Sequence, residues 1–346
     1  MKYFYDANSQ TLTIKSLLND NDIKDLSDLK DSIKEIDAIA FDISEALDKK
    51  TISAIAIIAQ HFGTIYILDF KDASIAHDDA MHEIIESING NISHLYISFA
   101  KMHFAHQKML MDALQQNCTI AHLYIINPDI SDTKATEYII DSKTMNHIES
   151  HHLSTADIWA TALQNNRSIK TLEIYDVSIT DGAIERLSQI AMHESNITHI
   201  YVNSPLYIRI FYSIQHLTEL HLLCDDTILT LKDIDTIIDM SIQCNNLSLL
   251  NIQHPDTQDA VLLLRLIHNI DVEQLFLSHI IPKAYNTLAR IVAEKDSKMI
   301  LRFHATDIDS EKLYKMNSIM YRRRLHRPDR RRLCHRLYRR CLHHIS

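Results

Sequence analysis

A short pattern of apolar and variable residues recurs along most of the chain. It consists of an apolar residue, two variable residues, an apolar residue, one variable residue and a further apolar residue, as in Ile92–Ile97, Ile120–Ile125 and Ile169–Ile174. The alternation at its end predicts a short strand with one buried face. The second apolar residue of each copy serves as its anchor. The anchors are Ile39, Ile65, Leu95, Leu123, Ile148, Leu172, Ile200, Leu220, Leu250, Leu275 and Leu301.

The anchors follow one another at steps of about 20 to 30 residues, which indicates a structural repeat. Helical spacing of apolar residues fills the intervals, for example at Ile184, Leu187 and Ile190. Asparagine often stands just before the next strand, where we expect it to end the helix in the left-handed conformation. These residues are Asn91, Asn117, Asn166, Asn196 and Asn246. One strand and helix cannot bury their apolar faces alone, so the units are expected to stack into a continuous core.

In this repeat the chain resembles the leucine-rich repeat family, specifically its ribonuclease-inhibitor-like class, over about residues 36–305. The family phrase Asn-x-x-Leu-x-x-Leu-x-Leu matches, with isoleucine often in place of leucine. The resemblance implies an α/β fold: a curved solenoid, or horseshoe, of about 10 to 11 repeats with a parallel concave sheet and convex helices. The isoleucine-rich, glycine-poor style also resembles the divergent repeats in effectors of intracellular bacteria such as Legionella.

The position after each strand departs from the family pattern. The family usually has asparagine or cysteine there, and the side chain bonds neighbouring turns. In this chain the position holds Phe70, Ala100, Pro128, Val177, Pro205, Asp225, Pro255 and Ile280. We therefore expect the internal asparagine ladder to be absent and the turns to be less regular.

Both ends of the chain lie outside the pattern. Lys2–Tyr5 and Thr11–Lys15 flank a turn and predict a hairpin, and an acidic helical stretch follows near Asp20–Lys34. Because an open solenoid end needs a polar cover, residues 1–35 are interpreted as an N-terminal cap. The predicted organisation is therefore a cap over 1–35, repeats over 36–305 and a C-terminal helical cap with an arginine-rich amphipathic tail over 306–346.

The strand residues between the buried anchors are expected to line the concave face. The sequence His-x-Tyr occurs there in three repeats, so these side chains should form columns on adjacent strands. Tyrosine is a large, stiff contact residue that is common at binding hot spots. The alternative is that tyrosine simply suits a pleated strand. The candidate partner-binding residues are Tyr66, His94, Tyr96, His122, Tyr124, Tyr175, His199, Tyr201, His221 and Phe276.

Composition argues against an enzyme. The three glycines, Gly63, Gly90 and Gly182, are too few and too scattered for a phosphate-binding loop or a dinucleotide fingerprint. The chain has 22 histidines but no HExxH motif, and no carboxylate or cysteine is expected at the level of the histidine columns. No nucleophile lies in a recognisable elbow. We therefore expect neither a catalytic site, a metal nor a cofactor.

Charge is unevenly distributed. The net charge is −10, yet the stretch from Arg322 to Arg340 has ten arginines and only one acidic residue, Asp329. An apolar stripe after Asp329 predicts an amphipathic helix. It could cap the last repeat, lie on an anionic membrane, or form a nuclear-import or nucleic-acid patch. The candidate residues for an anionic surface are Arg322, Arg323, Arg324, Arg327, Arg330, Arg331, Arg332, Arg336, Arg339 and Arg340.

These features predict a non-enzymatic scaffold that binds a basic or mixed-charge protein partner on its concave face. No secretory signal or membrane span is recognised, so a cytoplasmic location is expected, in the host cytoplasm if the chain is a secreted effector. The alternative is a targeting or anchoring protein whose arginine-rich tail binds anionic lipid or nucleic acid, in the second case with a nuclear location.

Overall fold

The computed structural model describes most of the repeat region. The described residues are 2–28, 33, 35–62, 65–70, 72–75, 77–90, 92–100, 102–130, 135–140, 148–189, 195–223, 229–257, 260–270, 272–280 and 300–304. The predicted C-terminal cap, with its ten arginines, lies outside them, as does Asn91. None of the helices in the described ranges combines the length and apolarity that a bilayer crossing requires.

Strands and helices alternate in an α/β arrangement. Strands β1 to β16 span Tyr3–Asp6, Thr11–Ile14, Ala38–Phe41, Ile67–Phe70, His94–Ser98, His122–Ile126, Asp129–Ile130, Ala135–Ile140, Ile148–Leu153, Thr171–Tyr175, Ser178–Ile179, His199–Val202, Glu219–Leu223, Leu249–Thr257, Gln274–Ile280 and Ile300–His304. Helices α1 to α8 span Asp20–Asp28, Lys49–Phe62, Asp78–Ile88, Phe104–Gln116, Thr155–Asn165, Asp181–Ser188, Leu231–Gln243 and Ala260–Asn269, and a 3-10 helix spans Pro205–Phe211. The chain divides into two compact units, the first holding most residues up to Leu220 and the second most residues from His221 onward.

The first unit contains a long, mostly parallel sheet with the strand order β1-β2-β3-β4-β5-β6-β10-β12. The predicted hairpin is present, because β1 pairs antiparallel with β2, and every later pair in this order is parallel. One apolar residue from each parallel strand lies at the same register and is fully buried. These residues are Leu12, Ile39, Leu68, Leu95, Leu123, Leu172 and Ile200.

The second unit repeats this arrangement. Strands β14, β15 and β16 are parallel, with Leu250, Leu275 and Leu301 at one register. Leu250 and Leu275 are fully buried. The anchors predicted in this unit are therefore confirmed as register partners.

The anchor predicted at Ile65 is wrong by three residues. Leu68 aligns with Ile39 on one side and with Leu95 on the other, and Ile65 precedes the strand. Both Ile65 and Leu68 begin an apolar-x-apolar triplet, so the sequence pattern allows either register. The observed register stacks the ring of Phe70 on that of Phe41, with centroids 4.8 Å apart, and this buried aromatic contact favours it.

The anchor predicted at Ile148 is also wrong. Strand β9, which begins at Ile148, pairs antiparallel with β8 as a separate hairpin, and β6 pairs directly with β10. The segment between Leu123 and Leu172 therefore inserts a hairpin and contributes no repeat strand. At the N-terminus the common register extends further than predicted, because Leu12 of β2 is the register partner of the anchor Ile39.

Asparagine side chains connect successive repeats where each helix meets the next strand. Asn117 donates from Nδ2 to the Ile88 carbonyl (2.8 Å), and its Oδ1 accepts the backbone N–H groups of Thr119 and Ile120 at 3.0 and 2.7 Å. Asn166 donates to the carbonyl of Asn117 (3.3 Å), although a hairpin insertion separates the two residues in sequence. An asparagine ladder is therefore present just before the strands. The predicted absence concerned a different position, the one after each strand.

This ladder corrects the expected role of the asparagines. The backbone of Asn117 and Asn166 is extended, with ψ 136° and 134°, and φ is negative at both residues. Their function is not a left-handed helix end but a side-chain bridge to the preceding repeat. Asn246 forms the same kind of bridge with the Gln215 carbonyl at 2.7 Å.

Replacing Asn166 by Ala should lower the free energy of unfolding by about 2–4 kcal/mol, because it leaves buried backbone N–H and C=O groups without partners. Asn166 is 3% exposed. The adjacent Asn165 is exposed, so Asn165→Ala is the matched control and should change stability little. Equal melting curves for the two variants in chemical denaturation would contradict the ladder.

Replacing Leu172 by Ala should cost about 2–5 kcal/mol, the usual range for truncation of a buried leucine. Leu231, which is 50% exposed at the start of α7, provides the control: Leu231→Ala should cost about 1 kcal/mol at most. Denaturant unfolding followed by circular dichroism measures both. A small cost at Leu172 would exclude it from the common buried register.

Candidate functional site: a tyrosine–histidine face

The parallel register brings the predicted His-x-Tyr copies together on one face of the sheet. His94, His122 and His199 occupy one register position, and Tyr96 and Tyr124 share the next outward one. These positions alternate with the buried anchors and are half-buried. We call this surface the tyrosine–histidine face, and it consists of His94, Tyr96, His122, Tyr124, Glu173, Tyr175, His199 and Tyr201.

Tyr66 does not belong to this face. It precedes β4, is 48% exposed, and donates its backbone N–H to the Asp37 carbonyl at 3.0 Å. The register partner of Tyr96 on β4 is Asp69. The error follows from the misplaced anchor at Ile65, since a shift of three residues exchanges the tyrosine for a carboxylate.

Five aromatic rings of the face, on β5, β6 and β10, form a continuous series of contacts. The ring of His122 lies 5.2 Å from that of His94 and 5.5 Å from that of Tyr96, measured between centroids. Tyr124 lies 5.5 Å from Tyr96 and 5.1 Å from Tyr175. The rings are tilted by 32° to 40°, which is a favourable aromatic geometry, so the face is held in shape by its own side chains.

Glu173 lies at the centre of the tyrosines. It is the register partner of Tyr124 on one side and of Tyr201 on the other. Its Oε1 lies 2.8 Å from His122 Nε2, and its Oε2 accepts a hydrogen bond from the Tyr175 hydroxyl at 3.0 Å. His122 Nε2 and Glu173 Oε1 are close enough for an ion pair, but their geometry is not that of a hydrogen bond.

Glu173 is not among the predicted face residues. The histidine columns were expected to have no carboxylate at their level, and the 2.8 Å contact of Glu173 with His122 shows that this expectation was wrong. The sequence pattern could have predicted this contact. Outward residues that are offset by two positions on neighbouring strands lie within reach of long side chains, and Glu173 and His122 have this offset.

A second histidine–carboxylate pair lies on β12 and β13. His199 Nε2 is 3.4 Å from Glu219 Oε1, and the His199 Nδ1 shares a hydrogen bond of 2.8 Å with the Thr198 hydroxyl. Hydroxyl, imidazole and carboxylate in series invite comparison with a catalytic triad. Thr198 Oγ1 also donates a hydrogen bond to the Lys170 carbonyl at 3.3 Å.

The hydroxyl has a structural explanation that needs no catalysis. Ser93 and Thr218 stand at the matching position before their strands, and both donate to a carbonyl of the preceding repeat, at 3.2 Å to Tyr66 and 3.0 Å to Thr198. The hydroxyls therefore form a second ladder between repeats.

Burial and neighbouring charges shift the pKa values of several side chains in the tyrosine–histidine face. The pKa of Tyr175 is raised well above its usual range by burial first, then by the charge of Glu173 and by the hydrogen bond to it. Burial and the charges of Glu219 and Glu173 raise the pKa of Tyr201. The pKa of His94 is lowered by burial and by repulsion from His122.

No group of three or more histidine, cysteine or carboxylate side chains within the described ranges is arranged to hold a metal ion. His221 and Phe276, the remaining predicted face residues, lie in the second unit. There His221 Nδ1 is 3.1 Å from Asn251 Nδ2, and Phe276 is the register partner of Asn251 and of Arg302.

No protein-family model matches the sequence, and a search of curated proteins found no significant match. The geometry of the face therefore carries the functional argument.

Replacing Glu173 by Gln should lower the pKa of Tyr175 while leaving it above the ordinary value, because the charge is removed and the burial stays. Because the pKa of Tyr175 is higher in the folded than in the unfolded state, protonated Tyr175 contributes to the stability of the fold. This contribution is fully present below the unfolded pKa of about 10 and is lost as pH rises through the folded value. Ring ¹³C NMR of labelled tyrosine measures the titration. Glu185→Gln on the exposed side of α6 is the control, and an unchanged titration in Glu173→Gln would contradict the contact.

Proposed function

We propose that the chain is a non-enzymatic protein–protein interaction scaffold, with the stacked architecture of a ribonuclease-inhibitor-like leucine-rich repeat protein, and that it binds a basic protein partner through the tyrosine–histidine face. The alternation of strand and helix and the single buried register support the repeat assignment. In a curved solenoid this face would be the concave wall, which offers an extended contact surface.

The observation that carries the proposal is the recurrence of His-x-Tyr at equal register on β5, β6 and β12, with the rings of β5 and β6 in contact. A packed row of tyrosines loses little conformational entropy on binding and has both apolar rings and polar hydroxyls. The alternative, that tyrosine simply suits a pleated strand, does not account for the carboxylates and imidazoles next to these tyrosines. Preorganised aromatic contacts are the usual basis of binding hot spots.

Charge favours a basic partner. Asp69, Glu173 and Glu219 all border the tyrosines, and the whole chain has a net charge of −10. Complementary charge steers association and excludes acidic competitors. A basic segment is therefore the occupant that this face suits best.

Replacing Tyr96, Tyr124 and Tyr201 together by Ala should weaken binding of a purified partner by at least about 2 kcal/mol. The partner is first identified by affinity capture with the wild-type chain and is then titrated by calorimetry. Tyr66→Ala is the matched control, because Tyr66 is exposed in the same unit but lies outside the face.

Thermal melts of each variant separate lost binding from lost folding. Wild-type affinity in a folded triple variant would move the binding site away from this face. A loss of affinity in Tyr66→Ala equal to that in the triple variant would also contradict the proposal, since the effect would then not depend on the tyrosine column.

A further inference from the structure

The three tyrosines around Glu173 have the composition of a site for a positively charged side chain. Tyr124 and Tyr201 are the direct register partners of Glu173 on the two adjacent strands, and adjacent strands are about 4.8 Å apart. Tyr175 follows two residues later on the same outward side of β10 and bonds to the carboxylate. Glu173 thus has a tyrosine at the same register on each neighbouring strand and a third tyrosine two residues along its own strand.

The electrostatic environment of this cluster is negative. Outward positions on β4, β5, β6, β10 and β12 carry the carboxylates of Asp69 and Glu173, and the described residues at those positions include no lysine or arginine. Glu219 adds a further carboxylate next to Tyr201, whose pKa it helps to raise. A cation arriving from outside would therefore meet no competing lysine or arginine on these strands.

Glu173 keeps the capacity to accept further hydrogen bonds. An ionised carboxylate has about four acceptor sites, and the contacts described here use one for the Tyr175 hydroxyl and place His122 beside the other oxygen. The Glu173 side chain is 18% exposed, so it is accessible but partly desolvated. Partial desolvation strengthens its attraction for a positive charge.

Tyrosine rings add a second source of attraction. A guanidinium or ammonium group over the face of an aromatic ring is stabilised by the ring quadrupole, and more strongly when water is partly excluded. An aliphatic ligand would bury the carboxylate without compensation, and an anionic one would be repelled. The combination of a carboxylate and surrounding rings therefore selects cations.

We propose that Tyr124, Tyr175 and Tyr201 with Glu173 form a cation-recognition site that receives one arginine or lysine side chain of a protein partner. This proposal rests on the proposed function, since it names the chemistry by which the tyrosine–histidine face recognises its ligand. Glu173 supplies the counter-charge, and the tyrosines supply the ring faces.

The test uses the full chain and a synthetic peptide library in which each peptide has one central arginine among neutral residues. The tightest peptide is titrated by fluorescence polarisation, together with the same peptide carrying citrulline, the neutral isostere of arginine. We expect citrulline to weaken binding to the wild type by about tenfold or more. Glu173→Gln should weaken the arginine peptide similarly and remove most of its advantage over citrulline.

Two matched controls assign the effect to this site. Glu185→Gln removes a carboxylate from the exposed side of α6 and should leave both peptides unchanged. Tyr175→Phe keeps the ring and should retain binding, whereas Tyr175→Leu should weaken it several-fold. Equal losses in the Phe and Leu variants would show that the ring face is not the contact and would overturn the proposal.

The remaining outcomes separate the two proposals. If citrulline binds as tightly as arginine and the triple tyrosine variant still loses binding, the cation site is wrong and the tyrosine–histidine face remains a docking surface. If the peptides bind equally to the wild type and the triple variant, both proposals fail. If no library peptide binds the wild type, the cation site is overturned, and partner capture continues to test the face.

Discussion

The stacking of one repeat on the next depends on a problem of backbone hydrogen bonding that apolar burial alone cannot solve. Where a helix ends and the chain turns into a strand, N–H and C=O groups are left without helical partners and are buried between repeats. Asn117 and Asn166 satisfy both kinds of group at once, by accepting from their own turn and donating to the preceding one. Each bridge fixes the vertical spacing of two repeats, and the strand register follows from that spacing.

This constraint explains why a hairpin insertion does not disturb the stack. Among the described strands, β8 and β9 pair only with each other, while β6 and β10 keep full register and Asn166 still reaches the carbonyl of Asn117. The bridging contacts lie at the helix-to-strand junctions, and the insertion lies between Ile130 and Ser154, away from them. Repeats can therefore accept extra segments where no ladder bond is made.

The sequence predicted the α/β class, the parallel alignment of most anchors and the columns of His94, His122 and His199, because these follow from hydrophobic periodicity. It did not predict the register at Leu68, where two apolar triplets overlap and the Phe41–Phe70 stack decides between them. It also did not predict the contact of Glu173 with His122, which depends on the diagonal offset of two strands far apart in sequence. Periodicity determines which face a residue occupies, whereas its contacts depend on side-chain packing.

Glu173 interrupts a column that tyrosine could have continued, and this substitution has a physical cost. A half-buried carboxylate loses hydration, and the nearby His122 imidazole and one tyrosine hydroxyl compensate only partly. Burial raises the pKa of Tyr175 and Tyr201, and the negative charge of Glu173 raises both further. A fold stabilised by apolar anchors on the other side of the sheet gains little from such a residue. In the proposed cation-recognition site, a positively charged side chain of the partner would offset this cost by pairing with the carboxylate.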